Sequence, residues 1–178
     1  MNLDGTSKVR GALRVWYHPE LVCTGTLSRV SASLNHAVAL TAEGALYAWG
    51  NNLCGQLGLG DLVNRYTPTK IDALSGVRIV EVAVGVEHTL ALASDGRLYA
   101  FGCNGRGSLG LGSSTLGTIS QPTIVNTPET FVKLAAGSLH SVGLTASGAV
   151  YTWGANDQGQ LGTSSSFVKL RATPRTMT

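Results

Sequence analysis

Gly137-Ser138-Leu139-His140-Ser141-Val142-Gly143-Leu144, continued by Gly148-Ala149-Val150-Tyr151-Thr152-Trp153-Gly154 and closed by Gly159-Gln160-Leu161-Gly162, decides the fold. The same wording occurs twice upstream at a constant offset. His36, His88 and His140 stand 52 residues apart in both steps. Gly44, Gly96 and Gly148 keep that step, as do Trp49, Phe101 and Trp153, then Gly50, Gly102 and Gly154. Asn52, Asn104 and Asn156 follow, and each copy closes on Gly-x-Leu-Gly, at Gly55–Gly58, Gly107–Gly110 and Gly159–Gly162. A tandem repeat of this length belongs to a solenoid, propeller or array.

Within a copy the period is that of a strand. Ile79-Val80-Glu81-Val82-Ala83-Val84 is a β-branched run ending at Gly85. His88-Thr89-Leu90-Ala91-Leu92-Ala93 then places Leu90 and Leu92 on one face by the strand period of two. Asp95-Gly96 reads as a hairpin connection of type I′, and Glu43-Gly44 and Ser147-Gly148 repeat it. Leu98 to Phe101 returns as the next strand, and Pro122-Thr123-Ile124-Val125 supplies a short outer one, where proline is tolerated. Each unit is therefore about four short antiparallel strands, the form of a propeller blade. Ala83, Ala91, Ala135 and Ala136 would let neighbouring blades approach closely, while Trp49, Phe101 and Trp153 supply the bulk of each.

The expected organisation is a polar lead-in over 1–12 and a partial β-propeller over 13–178. The latter comprises the tail of a preceding repeat at 13–26 and repeats at about 27–78, 79–130 and 131–178. Composition agrees with a β-rich globular repeat: of 178 residues 23 are glycine, 43% are hydrophobic and 13% charged. The net charge of +3 is spread without any run of like charges, so direct nucleic-acid binding is not expected. No apolar stretch reaches the roughly 18 residues of a membrane helix. Cys23, Cys54 and Cys103 occupy non-equivalent repeat positions and form no Cys-x-x-Cys pair, which reads as free thiols in a reducing compartment. An intracellular protein, cytoplasmic or nuclear, is expected.

The residues Leu134-Ala135-Ala136-Gly137-x-x-His140-Ser141-Val142-x-Leu144 and Gly148-x-Val150-Tyr151-x-Trp153-Gly154-x-Asn156-x-x-Gly159-Gln160-Leu161-Gly162 resemble the repeat of the regulator of chromosome condensation family. The resemblance covers about residues 27–178. Ser33 replaces a repeat glycine in the first copy, and Ser108 takes the glutamine place in the second. The family forms seven-bladed propellers, so the resemblance implies an all-β, incomplete propeller of about three blades out of seven. The remaining blades would come from a parent protein or a second copy, and the isolated chain is expected to associate.

Three of the four histidines sit at one repeat position. A residue locked to a repeat most often solves a local structural problem, so His36, His88 and His140 are read as structural, with Trp49, Phe101 and Trp153, and not as metal ligands. Gly105-Arg106-Gly107-Ser108-Leu109-Gly110 matches a dinucleotide fingerprint, yet Gly107 and Gly110 belong to the repeat and no helix follows to receive a pyrophosphate. No nucleophile turn or paired carboxylates recur, so neither catalysis nor a cofactor is expected, and no residue of the chain is expected to hold a metal.

Function is sought in the segments that break the repeat, Asp61–Thr67, Ser113–Gln121 and Thr163–Ala172, which emerge on one side of the blades. The candidate partner-binding residues are Asp61, Asn64, Arg65, Tyr66, Thr115 and Arg171. The leading reading is a non-enzymatic protein–protein interaction module, a sector of a larger propeller protein. The alternative, implied by the resemblance, is guanine-nucleotide exchange on a small Ran-like GTPase together with chromatin association. A third is an inhibitory or regulatory domain of a larger protein.

Overall fold

The computed structural model describes residues 26–112, 117–163 and 170–176. They form three antiparallel four-stranded sheets. The first contains β1 (Leu27–Ala32), β2 (His36–Thr41), β3 (Leu46–Gly50) and β4 (Arg65–Lys70). The second contains β5 (Ile79–Val84), β6 (His88–Ala93), β7 (Leu98–Cys103) and β8 (Thr118–Ile124). The third contains β9 (Phe131–Ala136), β10 (His140–Thr145), β11 (Val150–Ala155) and β12 (Leu170–Thr176). Within each sheet the strands lie side by side in chain order. A single 3₁₀ turn, Asp72–Leu74, is the helical element among the described residues.

The sheets stack face to face because the period of two gives the middle one two apolar faces. Val82, Val84, Ala91, Ala93, Tyr99 and Phe101 pack with Val38, Leu40, Leu46 and Ala48 of the first sheet. Ala83, Leu90, Leu92, Leu98 and Ala100 pack with Phe131 and Trp153 of the third. Phe101 and Trp153, both fully buried, thus each fill the boundary with the preceding sheet, whereas Trp49 is only half-buried. Ala83 and Ala91 are buried on opposite faces of the second sheet, but Ala135 is exposed.

The hairpins fall at Gly44, Gly96 and Gly148, although the turn type differs from the I′ expectation. Thr41 N–H donates to Ala45 O at 2.9 Å and Gly44 N–H to Thr41 O at 3.1 Å. Gly44, Gly96 and Gly148 have φ of +93°, +88° and +86°, and no described non-glycine residue has a positive φ. A type I′ turn needs two left-handed residues. Here a type I turn is followed by one left-handed glycine, the three-residue hairpin with a bulge.

The variable segments are also shorter than the repeat comparison implied, because their C-terminal parts are already strand. Arg65 and Tyr66 belong to β4, in which Arg65 lies opposite Gly50. Arg171 belongs to β12, opposite Gly154, within the outer strand Leu170–Thr176. The expected lead-in at 1–12 and all but the last residue of the expected tail at 13–26 lie outside the described residues, as does Thr115. No helix among the described residues is long and apolar enough to cross a membrane.

Candidate interaction site

Beneath the loops, a repeated relay ties each sheet to the next. Thr89 Oγ1 donates to the carbonyl of Gln56 at 2.8 Å, so its one proton is committed. The contact of 2.9 Å between His36 Nε2 and Thr89 Oγ1 is then a donation from the ring, which fixes the Nε2–H tautomer. One repeat on, Ser141 Oγ donates to Ser108 O at 2.8 Å and His88 Nε2 donates to Ser141 Oγ at 2.9 Å. Trp153 Nε1 donates to the same Ser108 carbonyl at 2.8 Å.

The histidine rings need small neighbours. A Cβ on Gly85 would stand 2.2 Å from His88 Cε1, and one on Gly137 would stand 2.1 Å from His140 Cε1. In the first repeat Ser33 occupies that position, and its hydroxyl donates to His36 Nδ1 at 3.3 Å. Gly85 has no hydroxyl to offer, and His88 Nδ1 is buried without a hydrogen-bond partner. Burial pushes His36 down to about 4, and burial with its neighbours His36 and His140 pushes His88 down to about 3. Both rings are therefore neutral donors at physiological pH.

The Gly-x-Leu-Gly segments are shaped by the preceding asparagine. Asn52, Asn104 and Asn156 accept, through Oδ1, the amide protons of Leu57, Leu109 and Leu161 at 2.9, 3.0 and 3.0 Å. Those leucines are fully buried. The connections β1–β2 and β3–β4 lie at one end of the blade and the β2–β3 hairpin lies at the other. All the segments that break the repeat therefore share the first end.

At that end the structure separates the sequence-derived candidates into two groups. Asp61 accepts from Arg65 Nη2 at 2.6 Å and, through Oδ1, from Val63 N–H at 2.9 Å. Arg65 Nη1 also donates to Val63 O at 2.6 Å, and Asn64 Oδ1 accepts from Asn52 N–H at 2.8 Å. These bonds, led by that from Arg65, hold the Asp61 carboxyl below its usual range. Asp61, Asn64 and Arg65 thus build the loop from within. What the loop presents is apolar: Tyr66 is 92% exposed, Leu53 66%, Val63 62% and Leu62 48%. Leu34, in the β1–β2 connection at the same end, is 84% exposed. The sequence reading selected Tyr66 and missed the four aliphatic residues, because a search for chemically varied side chains passes over leucine and valine. Arg171 lies on β12, at the register position of Arg65.

One further repeat position also escaped the sequence reading. Arg29, Glu81 and Lys133 occupy one repeat position on the first strands β1, β5 and β9. Glu81, largely buried, takes Arg29 Nη1 at 3.1 Å on one side and Lys133 Nζ at 3.2 Å on the other.

Family models for the regulator of chromosome condensation (RCC1) repeat match residues 43–92, 95–144 and 147–178. The chain belongs to the RCC1-repeat family. It is 40% identical over 136 residues to the ultraviolet-B receptor UVR8 of Arabidopsis thaliana, covering 76% of this chain and 31% of that one. It is 40% identical over 127 residues to protein RCC2 of Homo sapiens, covering 71% and 24%. Among solved structures, Prp20p of Saccharomyces cerevisiae, described with its binding to Gsp1p and histones, superposes with a TM-score of 0.78 at 27% identity, covering 85% of this chain and 38% of that one. This RCC1-repeat chain therefore spans less than a third of the curated relatives given, and its three sheets correspond to about three blades of a propeller.

Proposed function

We propose that this RCC1-repeat chain is a non-enzymatic protein–protein interaction module whose partner docks on the loop end of the blades. One observation carries the reading. The β3–β4 loop of the first blade spends its charged and amide groups on its own shape and offers Leu53, Leu62, Val63 and Tyr66 to solvent. A pre-shaped loop with exposed aliphatic side chains, leading into β4 at an exposed tyrosine, loses little entropy on docking and supplies the apolar core of an interface. The reading carries with it an intracellular location, cytoplasmic or nuclear. Remaining blades are supplied by a parent protein or a second copy.

The test is site-specific photocrosslinking in cells, with the crosslinker at position 66 and, as the control, at position 43 on the opposite end. Protein adducts from position 66 alone, lost in Leu62→Asp, support the reading. Equal adducts from both ends count against it.

A second reading rests on the likeness to Prp20p and its Gsp1p partner. It makes the chain part of an exchange factor for a small Ran-like GTPase, with chromatin association. Acceleration of fluorescent-GDP release from a purified Ran-type GTPase by this chain would favour it over the first.

A further inference from the structure

The structure brings together three metal-ligating side chains that the repeat does not require. Cys54 lies in the loop after β3, Glu87 in the β5–β6 connection and Cys103 at the end of β7. One ligand atom from each lies within 4.8 Å of the other two, and all three residues are half-buried. Donors held at about 2.0–2.3 Å from one tetrahedral ion stand roughly 3.3–3.8 Å apart, so side-chain adjustment of about an ångström closes the set. The backbone under the cluster is already fixed. Cys103 N–H donates to Glu87 O at 2.8 Å, Ser108 Oγ to Cys103 O at 2.8 Å, and Cys54 N–H to Gln56 Oε1 at 2.9 Å.

The cluster joins two blades, Cys54 from the first and the other two from the second. At the boundary between the second and third blades the equivalent positions are Arg106, Leu139 and Ala155. That trio contains no metal ligand, so the fold packs a blade boundary without this chemistry. In the first blade the Cys103 position is Asn51, whose Oδ1 accepts from Leu53 N–H and Gln56 Nε2 and so has a structural use. The cysteines and the glutamate are three separate departures from the repeat that meet at one point.

We infer that Cys54, Cys103 and Glu87 form a site for a single thiophilic divalent cation of the zinc type, with a fourth, solvent-facing position taken by water. Two soft thiolates with one carboxylate is a donor set for zinc and not for magnesium or calcium. Binding releases the two thiol protons to solvent, and two thiolates and one carboxylate around a divalent ion leave the site with one net negative charge. Half-burial leaves an entry path from the loop end. The ion would pin the first blade to the second beside the apolar loop, which ties partner docking to metal availability. The site stands on its own geometry, whatever partner uses that loop.

The probe is Co²⁺ added anaerobically to the full chain after reduction and a thiol count. The expected result is a 1:1 thiolate-to-cobalt charge-transfer band, bleached by equimolar Zn²⁺. Cys54→Ser and Cys103→Ser should each abolish it, and Cys23→Ser should leave it intact. Glu87→Gln should weaken cobalt binding by at least on the order of tenfold. Unchanged β circular dichroism without metal shows that a silent variant is folded, and native mass spectrometry of the wild type with Zn²⁺ gives a readout free of variants. No charge-transfer band, a band surviving both Cys54→Ser and Cys103→Ser, or an affinity unmoved by Glu87→Gln overturns the assignment.

Discussion

His88 Nε2 donates to Ser141 Oγ at 2.9 Å across the boundary between the second and third sheets, and His36 makes the corresponding bond to Thr89 one repeat earlier. His36 and His88, which a repeat-locked position tempts one to make catalytic, each bridge two blades. Each hydroxyl is at once acceptor for a ring and donor to a loop carbonyl. Removing one ring leaves a buried hydroxyl half-satisfied.

Replacing His88 by alanine should lower the unfolding free energy by about 1–3 kcal/mol. Urea denaturation of His88→Ala, Ser141→Ala and the double variant measures it. Because both residues serve one relay, the losses should fall short of additivity by roughly 0.5–3 kcal/mol. Additive losses would mean that the bond contributes nothing of its own.

Acidification should destabilise the fold through the same rings. His36 at about 4 and His88 at about 3 both lie below the ordinary histidine value, chiefly through burial. Below about pH 6.5 the unfolded chain takes up protons that the native rings refuse, so stability is held above that pH and falls beneath it. The slope is at most about 1.4 kcal/mol per pH unit for each ring, ending near pH 4 for His36 and near pH 3 for His88. Midpoints of urea unfolding at a series of pH values give the curve, and His88→Gln should flatten it. A stability that rises on acidification would contradict the assignment.

Glu81 is the shared anion of two cations on neighbouring strands. Glu81→Gln keeps the shape and leaves Arg29 and Lys133 facing each other uncompensated. Since both cations are about half exposed, the expected loss is modest, about 1–2 kcal/mol. It should shrink with added salt, which the same denaturation experiment reads. A loss indifferent to salt would point to packing instead of charge.

Glycine at position 102 is demanded by the backbone. With φ at +117°, a Cβ there would stand 2.3 Å from Glu87 O and 2.6 Å from His88 Cα. Gly102→Ala should cost more than about 2 kcal/mol or prevent folding. Gly76→Ala is the control, since Gly76 also has a positive φ but nothing within 4 Å of the added carbon. It should lose only about 1–2 kcal/mol, the cost of the left-handed conformation alone. Thermal unfolding of the pair separates steric from conformational cost.

How far the sequence could be read depended on whether the three copies agreed. The strands and the hairpin positions were legible, because three agreeing copies leave one architecture. The partner of each histidine was not. For His36 and His88 it lies 53 residues on, in the next copy, where Thr89 and Ser141 look like ordinary strand residues. The Arg29–Glu81–Lys133 ladder was hidden for the opposite reason. Its members share a repeat position but alternate in sign, so comparison of copies discards it as variable. Asp95-Gly96 fits either hairpin class, and only the observed dihedral angles choose between them. Cys54 and Cys103 occupy different repeat positions, and only the way one blade laps the next makes them neighbours.

The relay also sets a rule for how such chains can change length. At each of the two junctions one unit brings the ring donor and the loop carbonyl and its successor brings the hydroxyl, Thr89 or Ser141; the first unit has Ala37 at that place and brings no hydroxyl. Duplicating or excising a unit that carries the hydroxyl, as the second and third do, therefore preserves hydrogen-bond parity at every remaining junction, whereas a cut in another phase separates a ring from its hydroxyl. Genetic exchange that respects the phase is structurally silent, and exchange that ignores it is penalised at once. The interlock makes the repeat the indivisible unit in which proteins of this kind gain and lose blades.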